Sequence, residues 1–375
     1  MQVDKYFLQF SRDLAYLDLK KEAASSFLTP GLPLPIRTFD FIEGLKENRL
    51  DQSIDLSYFL KGMVWNLGID PDFKFAPEYK EILKKAIQEP DRFACQLALE
   101  DKNPDHSRIA FRAALELNPE NHFARVHLAS LFYSYAMDSS LEKDREAFIK
   151  EASRLYEEVL QAQEDNVFAN TGLGQINEGL GHYLKAKAYY QRALAAAPRE
   201  EIREEIRQAI RAIEPQAFIE DGIYYLNRAN YEKAIEAFNQ AKKDQTRYDV
   251  YYYLGTAFQN LERYREAEES FKMALEKGGD FEDLYNGLVY NLNAEGKIDE
   301  ALKYANLGLD RHPSGLRLRF NRAILLAVLG NRKKALEDLD FLLGYSDLSD
   351  EFFSQSMTLK EEILKEMEGE GPISS

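Results

Sequence analysis

Small and large apolar residues recur along the middle of this chain at a spacing set by two helices. Between Pro215 and Phe281, Gly222, Tyr225, Ala234, Phe238 and Ala241 return 33 residues later as Gly255, Phe258, Ala267, Phe271 and Ala274. Read at a 3.6-residue period, the apolar positions predict one helix over Phe218 to Leu226 and a second over Tyr231 to Lys242, with a turn around Asn227 to Asn230. The small residues fall where two antiparallel helices cross, and the aromatics fill the space beside the crossing. One such hairpin cannot bury its apolar face alone, so stacked copies are expected to share a continuous core.

These residues resemble the tetratricopeptide repeat, a 34-residue helix-turn-helix with the pattern W-x2-L-G-x2-Y, then A-x3-F, then P. Leu254-Gly255-x-x-Phe258 and Ala267-x3-Phe271 match it. Asp221 stands where the pattern has leucine, and Thr246 and Gly279 stand where it has proline. The resemblance implies an all-α fold, a right-handed α-solenoid of about seven helical hairpins, whose first helices line a concave groove.

Residues 1–87 lack the repeat and are expected to form an irregular helical region. Tyr6, Phe7, Phe10, Leu14 and Leu17 make a stripe that predicts a helix from Asp4 to Ser25. The prolines and glycine between Thr29 and Arg37 then break regular structure. Further helices are expected over Phe39–Glu47, over Ile54–Leu67 with Gly68 ending it, and over Glu78–Gln88 behind Pro77. Trp65, the only tryptophan, is assigned to this region's core.

Residues 88–200 read as a first subarray. Cys95, Ser107, Phe111, Ala114 and Pro119 mark one copy, and Leu173, Gly174, Ala186, Tyr190, Ala193 and Pro198 mark another. Between them, Ala129 and Ala152 stand 23 apart where the usual spacing is 12, so an insertion lies near 138–150, with a loop and helix N-cap at Asp138-Ser-Ser-Leu-Glu. Residues 201–214 form an extra connecting helix with Ile202, Ile206, Ile210 and Ile213 down one face and Pro215 at its end. Four repeats follow over 215–349. A C-terminal helix in 350–375 is expected to cap the array through Phe353, Met357, Leu364 and Met367, with a frayed tail from Gly369.

The formal charge of −16 argues against nucleic acid and anionic membranes as partners. Cys95 is the only cysteine, which excludes an intramolecular disulfide and a thiolate cluster and fits a reducing compartment. The N-terminus has no basic stretch followed by an apolar one, and no run approaches 18 apolar residues. The expected location is cytoplasmic.

No catalytic constellation emerges, so the expected function is non-enzymatic, with neither cofactor nor metal. His122 and His127 are five apart and point to different helical faces. His106, His182 and His312 read as surface or capping residues. Gly172-Leu-Gly174 lacks the third glycine and the preceding strand of a dinucleotide loop. Cys95 reads as a small residue at a helix crossing.

The remaining surface is the groove. Placing this sequence on the family's first-helix positions gives Thr171 and Gln175; Gln216, Ile219 and Ile223; Asp249, Tyr252, Thr256 and Gln259; Asp283, Asn286, Tyr290 and Asn293; and Arg317, Phe320 and Ile324. Such side chains can hydrogen-bond an extended backbone and offer aromatic anchors, with Tyr252 and Tyr290 foremost. Some family members grip a C-terminal carboxylate with lysine, but Ile219, Tyr252 and Asn286 occupy the matching places here. The reading is a scaffold that holds a protein or peptide partner. Self-association through the insertion or the end helix is an alternative of another class, and its oligomeric state is left open. A peptide-responsive regulator is a third, although residues 1–87 offer no basic recognition helix.

Overall fold

The computed structural model of the chain describes residues 2–18, 31–47, 54–138, 144–242 and 247–369. The expected loop and cap at 139–143, Thr246, the continuation of the first helix to Ser25 and the tail beyond 369 lie outside them. The chain divides into two compact units, Met1–Ile210 and Arg211–Ser375.

The N-terminal unit departs from its sequence pattern at the start. Helix α1 (Gln2–Leu8) gives way to a short 3-10 turn (Gln9–Asp13) and then to strand β1 (Leu14–Asp18), so the helix expected to reach Ser25 is not formed. Strand β1 pairs antiparallel with β2 (Pro33–Arg37), with Leu14 opposite Arg37 and Leu17 opposite Leu34. Pro33 and Pro35, two apart, lose their donors on the same side of β2, which leaves the donors of Leu34 and Ile36 together on the other. The prolines thus confine this segment to an edge strand. The all-α solenoid therefore begins with a two-stranded sheet.

That sheet rests directly on helix α3 (Leu56–Ile69): a Cβ added at Gly62 would stand 2.0 Å from the Pro35 carbonyl oxygen. Gly68, expected to end α3, is instead inside it, where a Cβ would meet Ile109 O of α6 (Pro104–Leu117) at 2.1 Å. Both glycines serve close backbone approach. Helix α2 (Thr38–Lys46) presents Phe39 to Trp65, which is 2% exposed in the core as expected. His106 is not a surface residue. It stacks on Phe39 at 4.9 Å, lies 4.7 Å from Trp65, and holds Asp101 through Nδ1 at 2.8 Å. His127 likewise stacks on Phe111 at 5.2 Å, because a flat imidazole face packs as an aromatic does.

Helix α4 (Ala76–Ala86) leads into hairpins α5 (Pro90–Glu100) with α6, α7 (His122–Ala136) with α8 (Arg145–Ala162), and α9 (Val167–Gly179) with α10 (Tyr183–Ala196). Asn121 and Asn166 start α7 and α9 by accepting from the amides of Ala124 and Ala169. One hydrophobic cluster runs from Phe7 to Ile176, so α1 and the sheet share the hairpins' core. Cys95 is buried there, as expected, and burial pushes its thiol up to about 11.

The unit boundary falls inside α11 (Glu200–Leu226). Pro215 does not end the connecting helix: it sits within this 27-residue helix. A proline there forfeits one backbone hydrogen bond and costs about 3 kcal/mol. The offset comes from one continuous apolar stripe, Ile206, Ile213 and Ala217, all at most 4% exposed.

In the C-terminal unit, the end of α11 packs on α12 (Tyr231–Ala241). It is followed by α13 (Tyr248–Asn260) with α14 (Tyr264–Glu276), α15 (Glu282–Ala294) with α16 (Ile298–Arg311), and α17 (Leu316–Val328) with α18 (Arg332–Leu343). The last element, α19 (Asp350–Gly369), packs on α18 and α17. Its inward face is not the expected one. Phe352, Ser356, Leu359 and Ile363 turn to the core, while Phe353, Leu364 and Met367 are 44%, 40% and 44% exposed. The helix has two apolar stripes, and the one carrying Ile363 and the small Ser356 fits closely against Leu339 and Leu342.

Candidate functional site

The first helices of the C-terminal hairpins carry the expected groove residues, and on α11 and α13 a glycine, Gly222 or Gly255, packs against the aromatic ring of the partner helix. The faces left over bear Gln216, Ile219 and Ile223 on α11; Asp249, Tyr252, Thr256 and Gln259 on α13; Asp283, Asn286, Tyr290 and Asn293 on α15; and Arg317 and Phe320 on α17. Asp283, Tyr290 and Arg317 are exposed, the others are half-buried, and none is fully buried.

Hydrogen bonds tie neighbouring rungs together. Asn321 Nδ2 donates to Asn286 Oδ1 at 2.6 Å, joining α17 to α15. Asn291 Nδ2 donates to Gln259 Oε1 at 2.8 Å and to Gly287 O at 2.7 Å, joining α15 to α13. Asn291 is wholly buried, and its Oδ1 has no partner among the described residues. Asp249 is bound by the Arg247 guanidinium at 2.5 and 3.1 Å. Arg317 makes no ion pair among the described residues.

The two expected anchors differ. Tyr252 lays its ring edge-on to Phe281 at 4.9 Å and beside Phe271 at 6.0 Å, so it belongs partly to the core. Tyr290 is 46% exposed and, among the described residues, has one ring neighbour, Tyr264, at 6.4 Å.

Three of the expected residues, Asn286, Arg317 and Phe320, converge on one cavity of about 320 Å³. Asn321 and, from α19, Glu351, Phe352 and Gln355 complete it. Phe320 and Phe352 meet edge to face at 5.3 Å. Sequence reasoning missed Asn321 and the α19 residues because it gave the last helix a capping role alone. The repeat contained the signal: Glu351 stands 34 after Arg317, so α19 continues the register of first helices. Asn291 was signalled by a lone amide in the apolar stripe of Leu284, Leu288 and Leu292. Thr171 and Gln175 lie on α9 of the N-terminal unit, apart from this cavity's lining.

Among the described residues no group of His, Cys, Asp and Glu is arranged to hold a metal ion, and no helix is long and apolar enough to cross a membrane.

Residues 169–200 and 220–281 match family models of the tetratricopeptide repeat. No curated protein matches the chain at a significant level. Among solved structures, the chain is similar to YrrB, described as a TPR protein with an unusual peptide-binding site, at 20% identity over 67% of this chain and 98% of that one, with a TM-score of 0.28. PilW, a type IV pilus biogenesis factor, is 18% identical over 60% of this chain and 97% of its own, with a TM-score of 0.39. A tetratricopeptide repeat protein from Parabacteroides merdae is 15% identical over 73% and 98%, with a TM-score of 0.32. The repeat models, rather than these superpositions, carry the assignment.

Proposed function

We propose that this tetratricopeptide repeat protein is a non-enzymatic cytoplasmic scaffold that holds an extended segment of a partner protein or peptide against the first helices of its C-terminal unit. Tetratricopeptide repeats are protein-interaction modules in general; the groove is the finer reading. The cavity shared by α15, α17 and α19 supports it best. Asn286 spends its carbonyl oxygen on Asn321, which leaves its amide hydrogens for an acceptor, and Asn321 keeps its own oxygen for a donor. A peptide group offers both. Phe320 and Phe352 provide an apolar floor, and Arg317 and Glu351 provide one charge of each sign. Such a cavity, of about 320 Å³, suits a few side chains of a polar segment rather than a large cofactor.

The test is a peptide-display selection on the intact chain, followed by affinity measurement on Arg317→Ala and Asn286→Ala with circular dichroism as the folding control. Selected peptides should bind each variant at least tenfold more weakly. Peptides that bind both variants as well as the parent would remove the groove from the reading.

The exposed Phe353, Leu364 and Met367 on α19 favour a second reading, self-association through that helix. Sedimentation of the chain and of Phe353→Ser with Leu364→Ser separates the two: only the assembly reading requires a concentration-dependent species that the variant lacks.

A further inference from the structure

Where the non-repeat segment meets the first hairpin, one cavity of about 660 Å³ is walled by the 3-10 turn, the junction of β2 with α2, α3, the end of α5 and the start of α6. Arg37 is its unusual member. Its side chain is 9% exposed, and an arginine so buried is ordinarily fully paired. Here Nε donates to Asp40 Oδ2 at 2.5 Å, while the guanidinium lies over Phe39 at 4.7 Å and Trp65 at 5.4 Å. Both Nη atoms lack a partner among the described residues, and neither is sealed from solvent. A guanidinium braced from behind, with its two outer nitrogens open, is a fork for one carboxylate. Helix α2 begins beside it at Thr38 with no side-chain cap, so its first-turn amides add partial positive charge at the same point.

The rest of the wall decides what else the ligand carries. Three cations line the cavity, Arg37, Lys61 and Lys102. Five carboxylates line it as well, those of Asp13, Asp40, Glu43, Glu100 and Asp101. Asp40 is taken by Arg37, and Asp101 by His106 Nδ1 at 2.8 Å. The carboxylates of Asp13 and Glu43 hold no partner among the described residues. Thr38 Oγ1 donates to Asp13 O at 3.3 Å, which keeps Asp13 beside the start of α2 and hence close to the Arg37 fork. A phosphate or a bare carboxylate would enter a wall with more negative charge than positive. A bare amine would leave the fork empty. A small molecule with both charges close together satisfies both sides.

We infer that this cavity is a binding site for a free α-amino acid. The carboxylate sits on the Arg37 fork at the start of α2, the ammonium faces Asp13 and Glu43, and the side chain lies toward Leu97 and Phe39, the apolar part of the wall. The volume falls within the range of small-molecule sites. The site lies in the N-terminal unit and does not depend on the C-terminal groove.

The chain supplies its own reporter. Trp65 is the only tryptophan, and its ring neighbours Arg37, Phe39 and His106, all of which line the cavity. Each standard L-amino acid except tryptophan is titrated into the intact protein, with Trp65 emission and melting temperature as readouts. At least one should give a saturable emission change and a raised melting temperature. For that amino acid, the amine lacking its carboxyl group and the acid lacking its amino group should each bind at least tenfold more weakly. Arg37→Lys keeps the charge but loses the fork, and should weaken binding at least tenfold. Asp13→Asn with Glu43→Gln should do the same; neither side chain is buried, so this variant should melt near the parent's temperature and serves should Arg37→Lys unfold. Arg317→Ala should leave the binding unchanged, so failure here and failure of the groove are told apart. No saturable response to any amino acid would overturn the proposal. Undiminished binding by the amine, by the acid or by the Asp13 and Glu43 variant would overturn it as well, since the site would then not read both charges.

Discussion

Gly222 lies against the ring of Phe238, where a Cβ would stand 2.4 Å from Cε1. Gly255 meets Phe271 at 2.7 Å and Gly174 meets Tyr190 at 2.5 Å in the same way, and each pair is sixteen residues apart. The recurring small-and-aromatic pattern is therefore one contact, made across the helix crossing in each of these three hairpins.

Replacing Gly222 by alanine sets two effects against each other. Alanine gains about 1 kcal/mol of helix propensity, but the added methyl must displace a ring that is itself 0% exposed, an overpacking cost of about 1–3 kcal/mol. Gly222→Ala should lower stability by about 1 kcal/mol net in urea unfolding followed by circular dichroism. A raised midpoint would mean that the Phe238 ring yields.

The turns between paired helices offer the opposite case. Glu262 has φ +58°, whereas the equivalent turn residues 34 and 68 positions later are Gly296 and Gly330, at +74° and +75°. A side chain in the left-handed region costs about 1 kcal/mol. Glu262→Gly should therefore stabilise the C-terminal unit by about 0.5–1 kcal/mol, read as a higher urea midpoint with an unchanged slope.

How much of this was legible in the sequence depended on whether a contact repeats. The Gly222 and Phe238 relation occurs several times, so the hairpins and the groove positions could be placed by register alone. Leu14 and Leu17 could not, because an apolar stripe of that length fits a helix as well as a strand, and the partner strand around Leu34 was masked by its prolines. Pro215 reads as a stop in any helix considered alone. Only the burial of Ile206, Ile213 and Ala217 along one face shows why the helix runs through it. The cavity at Arg317 was half legible, since Asn286 and Phe320 follow from the repeat and Phe352 does not: α19 holds the register but replaces the small residue of its crossing with Met357.

Acid should weaken the C-terminal unit through Glu268. Burial alone would raise this carboxyl, but Lys272 and Lys297, each 2.6 Å away, outweigh burial and hold it down at about 2, below its ordinary 4.5. A depressed folded value stabilises above the unfolded value and loses that stability as pH falls through the folded one. Urea midpoints should thus decline between about pH 4.5 and pH 2, with a contribution on the order of 1–2 kcal/mol. Glu268→Gln should be less stable than the parent at pH 7 and should lose part of this slope. An identical slope in the variant would place the acid sensitivity elsewhere.

Tyr252 and Tyr290 provide the sharpest separation of packing from recognition. Removing Tyr252 strips an edge contact from Phe281 and a second ring from Phe271, so Tyr252→Ala should cost about 2–3 kcal/mol of stability whatever it does to binding. Tyr290 projects from the next first helix with nearly half its surface in water, and its loss should cost less than about 1 kcal/mol. An exposed aromatic that contributes little to folding can still anchor a ligand, where loss of such a residue costs about 2 kcal/mol or more. For peptides selected on the intact chain, Tyr290→Ala should thus weaken binding about tenfold or more at an unchanged melting temperature. Tyr252→Ala should lower both together. If Tyr290→Ala leaves affinity untouched while Arg317→Ala abolishes it, the ligand is confined to the α17 and α19 end and does not run along the row.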